Sequence, residues 1–180
     1  MRTGVLVTTA VVSTVWLAAG PAAAQQVTRE NVAGVTNFLR LETTVACAGA
    51  TTAQAVPEIK KMGYQSIINL RLASEAGADV ESETAAAKAA GIRFYHIPFS
   101  GSSPDPKVAD QFLAAITAPG SEPAFIHCAG GNRAAAMWMV KRLVVDRWDA
   151  DRAGKEATAL GMTSPALRQF AIDYAQSHKR

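Results

Sequence analysis

Cys128 and Arg133 are the residues whose types and spacing could do chemistry together. They sit in the stretch "FIHCAGGNRAAA", Phe125 to Ala136, with Ala129, Gly130, Gly131 and Asn132 between them. The stretch begins apolar, as a buried strand does, and ends in alanines, as a helix does. The cysteine therefore falls at a strand end and the arginine in the first turn of a helix. Ala129, Gly130 and Gly131 carry little or no side chain to hold a ligand off the backbone. Several amide N–H groups can converge there on one concavity, an anion nest reinforced by the helix dipole. Arg133 adds a planar fork suited to two oxyanion oxygens. The same field favours the thiolate of Cys128. A thiolate beside an oxyanion cradle is a nucleophile for phosphoryl or sulfur transfer. The plain alternative is a small buried cysteine at a tight strand–helix turn.

The elements around this loop must position it. "NFLRLETTVACAG" favours β structure and is read as one early strand or extended arm. "TTAQAVPEIKKMG" has Thr at its start, Lys60 and Lys61 near its end and Gly63 beyond, the punctuation of a helix with Pro57 in its first turn. "QSIINLR" is a short buried strand ending in Arg71, and "DVESETAAAKAAG" is a helix with acids at its start and Gly91 at its stop. "IRFYHIPFS" is the next strand, and "GSSPDP" a turn-rich loop. "KVADQFLAAITA" is a helix with one apolar side, "PAFIH" a core strand, and "RAAAMWMVKRLVV" a central helix. "DADRAGKEATALG" and "SPALRQFAIDYAQ" close the chain as two more helices. Strands separated by helices predict parallel pairing with right-handed crossovers. Ligands of such sheets sit at the carboxyl ends of the strands, which here carry "LRLASE", "FSGSSPDP" and "CAGGNR".

The chain has 180 residues, room for one domain with a sizeable core. Residues 1–24 read as a secretory signal peptide: Arg2, the apolar run Val5 to Ala19, and small residues at Ala22 and Ala24 before Gln25. Cleavage near Ala24/Gln25 leaves residues 25–180 as an exported domain, secreted or periplasmic, that meets a membrane only through the leader. Losing Arg2 takes the net charge from +3 to +2. No basic stripe with interleaved aromatics appears, so nucleic acid is not an expected partner. The cysteines, Cys47 and Cys128, and the scattered histidines show no metal-ligand spacing. No metal or other cofactor is expected. An exported chain permits a Cys47–Cys128 disulfide, a reversible lock on the thiolate.

"IHCAGGNRAA" resembles the signature of cysteine-dependent protein tyrosine and dual-specificity phosphatases, in which His-Cys opens a loop closed by Arg. "KKMGYQSIINLR" and "AAGIRFYHIPFS" are similar to the family's early Asn-Leu strand and to the strand before its general-acid loop. The likeness runs from about Phe38 to Tyr174. It is nearest to a bacterial subgroup, the phosphatase-like domains of β-lactamase-hydrolase-like proteins, with a shortened "HCxxGNR" loop. The resemblance implies an α/β, three-layer fold of the protein tyrosine phosphatase type, a mainly parallel central sheet flanked by helices. It implies a hydrolase that cleaves a phosphomonoester, on a protein or a small molecule, through a phosphocysteine. Cys128 is then the nucleophile, Arg133 the phosphate clamp, and Ala129, Gly130, Gly131 and Asn132 the backbone donors. His127 positions the loop and tunes the thiolate, or is simply a hydrogen-bonded core histidine.

Several positions depart from the family pattern. The loop is one residue shorter than usual, which matches the register of rhodanese sulfurtransferases, although those commonly carry Arg where Ala129 stands. Ala134 replaces the hydroxyl residue that helps the thiolate depart. Gly101 stands where the general-acid Asp is expected, and Asp105, just before Pro106, is the nearest carboxylate. Asp105 is therefore the acid or only a turn residue. Arg71 either meets substrate or pairs with Glu75 or Glu83. A persulfide-forming sulfurtransferase and a non-catalytic oxyanion- or phosphoprotein-binding module stay beside the phosphatase reading.

Overall fold

The computed structural model describes residues 26–178; the leader read over 1–24 lies outside them. The elements in chain order are β1 (Val27–Glu30), β2 (Phe38–Leu41), β3 (Val45–Ala48), α1 (Val56–Lys61), β4 (Ser66–Asn69), α2 (Val80–Ala90), β5 (Arg93–His96), α3 (Pro106–Ile116), β6 (Ala124–His127), α4 (Asn132–Val144), α5 (Ala150–Ala159) and α6 (Pro165–Ser177). They form a mixed α/β fold, a central sheet with helices on both faces.

The sheet has the order β1-β2-β3-β6-β4-β5. The strands β3, β6, β4 and β5 run parallel, with His127 opposite both Ala48 and Asn69. At the other edge β1, β2 and β3 pair antiparallel. The expected single arm over residues 37–49 is thus a hairpin. The chain reverses at Glu42, whose φ is +44°, and Thr44 N–H donates to the Leu41 carbonyl at 3.0 Å. A left-handed turn built on Glu carries no Gly or Pro to announce it.

Side chains alternate across the sheet with period two. Leu39, Leu41, Cys47, Ile68 and Ile126 face α3 to α6. Phe38, Ala46, Ile67 and Phe125 face α1 and α2. Polar caps start α2, α3, α5 and α6: Asp79, Asp105, Asp149 and Ser164 each accept from a backbone N–H in the first turn. Pro57 lies in the first turn of α1, where its missing N–H leaves no helical bond unmade.

The central helix α4 is buried from Ala134 through Arg142. Its alanines let it lie close against sheet and neighbours. Its two buried cations end in a polar cluster. Arg142 Nε and Trp138 Nε1 each donate to Glu156 Oε1 at 2.6 Å, and Arg142 Nη1 donates to Asp146 at 2.9 Å. The guanidiniums of Arg142 and Arg152 both lie over the Trp148 ring, 4.1 and 3.5 Å from its centre. No helix among the described residues is long and apolar enough to cross a membrane.

Candidate active site

The loop from Cys128 to Arg133 leaves β6 at the carboxyl end of the parallel strands and enters α4 directly. Its carbonyls are held from outside. Ala129 C=O accepts from Ala50 N–H at 2.9 Å, and Gly130 C=O accepts from Asn37 Nδ2 at 3.3 Å. In a trans peptide the N–H points opposite to the carbonyl, so the Gly130 amide faces away from Ala50. Gly131 N–H donates to Cys128 Sγ at 3.1 Å. Gly131 has φ of +99°, a backbone region that glycine enters without steric cost. It caps α4 without a side chain, and the first helical N–H groups have no partner inside the helix. Cys128 itself is 1% exposed.

Arg133 reaches across the site. Its Nη1 donates to Glu75 Oε1 at 2.6 Å, to the Phe99 carbonyl at 2.8 Å and to the Leu70 carbonyl at 3.2 Å. Its Nη2 donates to Glu75 Oε2 at 2.8 Å. This is a two-pronged pair with a carboxylate. The Cys128 side chain is close enough to add its own hydrogen bond to this guanidinium. Burial opposes the guanidinium charge, but the Glu75 hydrogen bond and the nearby charge of Cys128 outweigh it and raise its pKa. Glu75 is held down to about 2, chiefly by the Arg133 hydrogen bond, against burial and with help from Leu72 N–H and Arg71.

Arg71 pairs with Glu75 rather than Glu83. Its Nε lies 3.5 Å from Glu75 Oε2, and its Nη groups donate to the Gly77 and Ala76 carbonyls at 2.9 and 2.6 Å. Buried at 4% exposure, it pins the turn that presents Glu75. Glu83 goes instead to His127. The imidazole is fully buried with Nε2 2.8 Å from Glu83 Oε1. The Asn132 side chain turns away from the cradle and holds the start of α6. It donates to Thr163 Oγ1 at 2.7 Å and accepts from Thr163 and Ser164 N–H at 3.1 Å each.

Asp105 caps α3, accepting from Lys107 N–H at 2.9 Å, and is exposed. The residue against the clamp is Gly101. A Cβ there would stand 3.5 and 3.6 Å from Cγ and Cδ of Arg133 and 3.9 Å from Leu167. Cys47 and Cys128 are both free thiols. Cys47 lies opposite Ile126, so Cys128 is its diagonal neighbour. Burial, then the charges of Cys128 and Glu156, push the Cys47 thiol well up. Sequence reasoning missed Glu75 as the partner of Arg133 and Glu83 as the partner of His127; neither pairing leaves a local pattern.

Residues 37–144 match the family model described as the phosphatase-like domain of beta-lactamase hydrolase-like protein. The beta-lactamase hydrolase-like protein of Agrobacterium fabrum is 29% identical over 125 residues, covering 65% of this chain. The match spans only 28% of that relative's length. Solved structures share the fold. A putative phosphatase (DUF442) from Shewanella putrefaciens superposes with a TM-score of 0.69 at 18% identity, covering 82% of this chain and 96% of that one. TpbA of P. aeruginosa gives 0.63 at 20% identity, covering 88% and 92%. The core catalytic domain of the PP-IP phosphatase SIW14 of S. cerevisiae gives 0.64 at 18%, covering 80% and 88%. With its Cys-to-Arg loop, its early Asn-Leu strand and the match over most of its described residues, the chain belongs to the family of phosphatase-like domains of β-lactamase-hydrolase-like proteins.

Proposed function

We propose that this chain is an exported, cysteine-dependent phosphatase that hydrolyses phosphomonoesters through Cys128. The observation that carries the reading is Arg133 fastened by Glu75 on one edge, beside a thiol that already accepts an N–H from its own loop. The N–H at Sγ and the guanidinium put hydrogen-bond donors beside the sulfur that would attack. A phosphoryl group in the cradle would place its oxygens against the loop amides and the Arg133 guanidinium. The thiolate attacks phosphorus, the P–O bond to the leaving group breaks, and that oxygen takes a proton from Asp105 or from water. Water then attacks the phosphocysteine, releasing phosphate and the thiolate. With Asp105 engaged as a helix cap and Ala134 lacking a hydroxyl, both steps are slow. A placed acid commonly contributes ~10²- to 10⁴-fold.

Sulfur transfer is the second reading, supported by Gly101 at the clamp in place of an acid. The thiolate would attack the sulfane sulfur of thiosulfate, breaking the S–S bond and releasing sulfite, to leave a persulfide. One mass-spectrometric series separates the readings. Purified protein is exposed to an aryl phosphate and, separately, to thiosulfate. Phosphate release with a transient phosphoryl adduct, lost in Cys128→Ser, supports the phosphatase. An adduct of about 32 Da after thiosulfate alone, the mark of a persulfide, replaces it with the sulfurtransferase. Oxyanion binding with neither adduct nor turnover leaves a binding module.

A further inference from the structure

Glu83 is 3% exposed on α2, while Glu81 on the same helix is exposed. A carboxylate taken out of water is costly unless its oxygens are engaged. Glu83 Oε2 accepts from Asn69 Nδ2 at 2.8 Å. Glu83 Oε1 lies 2.8 Å from His127 Nε2, at ion-pair distance but off the line of a hydrogen bond. Neither His127 ring nitrogen has a hydrogen-bond partner among the described residues, so Glu83, at ion-pair distance, is the charged group set against this ring. Asn69 turns its other end to Arg71, its Oδ1 accepting from Arg71 N–H at 2.8 Å. The Arg71 side chain and Leu72 N–H then reach Glu75, and Glu75 holds Arg133. A chain of polar contacts thus leaves the residue before the thiol, crosses α2 and β4, and returns at the clamp.

We propose that Glu83 is a positioning residue of the oxyanion cradle: through His127 on one side and Asn69 on the other it sets the place of Cys128 relative to Arg133. The inference rests on Cys128 and Arg133 being the working pair, whether phosphorus or sulfur is transferred. His127 and Asn69 stand directly opposite each other in β6 and β4. Glu83 bridges their side chains from the helix above, so the two strand ends that carry the nucleophile and the Glu75 turn are tied to one carboxylate.

A charge relocation within the triad tests this. Glu83→Gln removes the charge facing His127 and can set an amide NH2 against that of Asn69, and Asn69→Asp places a second carboxylate against Glu83; each single change mismatches the chain. Together they restore it. The amide at 83 offers its oxygen to His127 and its NH2 to the carboxylate at 69, whose second oxygen still accepts from Arg71 N–H. Tungstate binding to the purified protein is measured by calorimetry for the natural chain, both single variants and the double variant. Each single variant is expected to bind roughly ten-fold more weakly or worse, the scale of one misplaced charge-assisted hydrogen bond. The double variant is expected to return to within about three-fold of the natural affinity, since its pairing is complete again. Side-chain volumes barely change through the series, so packing alone does not produce that rescue. Natural affinity in the single variants, or a double variant no tighter than the weaker single, overturns the proposal. Where a single variant fails to fold, the double variant decides: folded with natural affinity supports it, and unfolded or weak binding overturns it. A natural protein that binds tungstate yet turns over no aryl phosphate defeats the phosphatase reading and leaves this comparison intact.

Discussion

Glu75 and the carbonyls of Leu70 and Phe99 occupy Arg133 Nη1, and Glu75 also takes one edge of Nη2. The guanidinium therefore waits in place, and a ligand does not have to order a long free side chain. The carboxylate expected as the acid, Asp105, caps α3, and Gly101 is the residue beside the clamp. Gly101 lies against the stem of Arg133, its φ is not in the left-handed region, and a Cβ there makes only ordinary contact. Gly101→Asp can therefore supply a carboxyl beside the clamp. Under the phosphatase reading it should raise turnover of an alkyl phosphate, a poor leaving group, by roughly ten-fold or more, a fraction of what a well-placed acid gives. Persulfide formation from thiosulfate needs no such proton and should not rise. Steady-state phosphate release and the adduct mass check the pair, and unchanged phosphate release would sink the idea that the missing acid limits the rate.

The glycines of the loop divide into two kinds. Gly131 has φ of +99°, whereas a Cβ at Gly130 meets nothing within 4 Å and its φ is ordinary. Gly131→Ala is expected to cost about 1–3 kcal/mol through backbone strain and to weaken oxyanion binding, because its N–H reaches Sγ. Gly130→Ala should stay within about 0.5 kcal/mol of the natural stability. Urea unfolding of the two variants checks this, and equal losses would count against it. Element structure was largely legible: the parallel strands, the acid-to-lysine polarity of α2 and the alanine face of α4 all have local patterns. The hairpin was not, since its reversal at Glu42 uses a residue that does not signal turns. Nor were the acids that govern the site. Glu75 and Arg133 are 58 positions apart, and Glu83 sits among acids that suit a helix N-terminus equally well. Which carboxylate faces inward is settled by packing, and the chain order holds no record of it.

Across the whole molecule, Glu75 links the site to stability. Its folded pKa of about 2 lies below the ordinary 4.5. A depressed carboxyl favours the folded state fully above the unfolded value, and the advantage is lost as pH falls through the folded value. The natural protein should therefore exceed Glu75→Gln in stability by a constant margin above about pH 5, and the margin should shrink toward pH 2. Urea unfolding at stepped pH reads it, and a margin unchanged down to pH 2 would falsify the pairing as a source of stability.

The polar cluster at the far end of α4 bears on how the protein can be watched. Of its three tryptophans, Trp16 lies outside the described residues and the others are Trp138 and Trp148. Both touch cations of that cluster, and Trp138 is roughly 9 Å along the helix from its first residue at 1.5 Å per residue. Tryptophan emission from residues 26–178 is thus a gauge of the cluster and not of the cradle. A ligand that only fills the loop should leave the spectrum still, and a spectral change on binding would report α4 shifting as a rod.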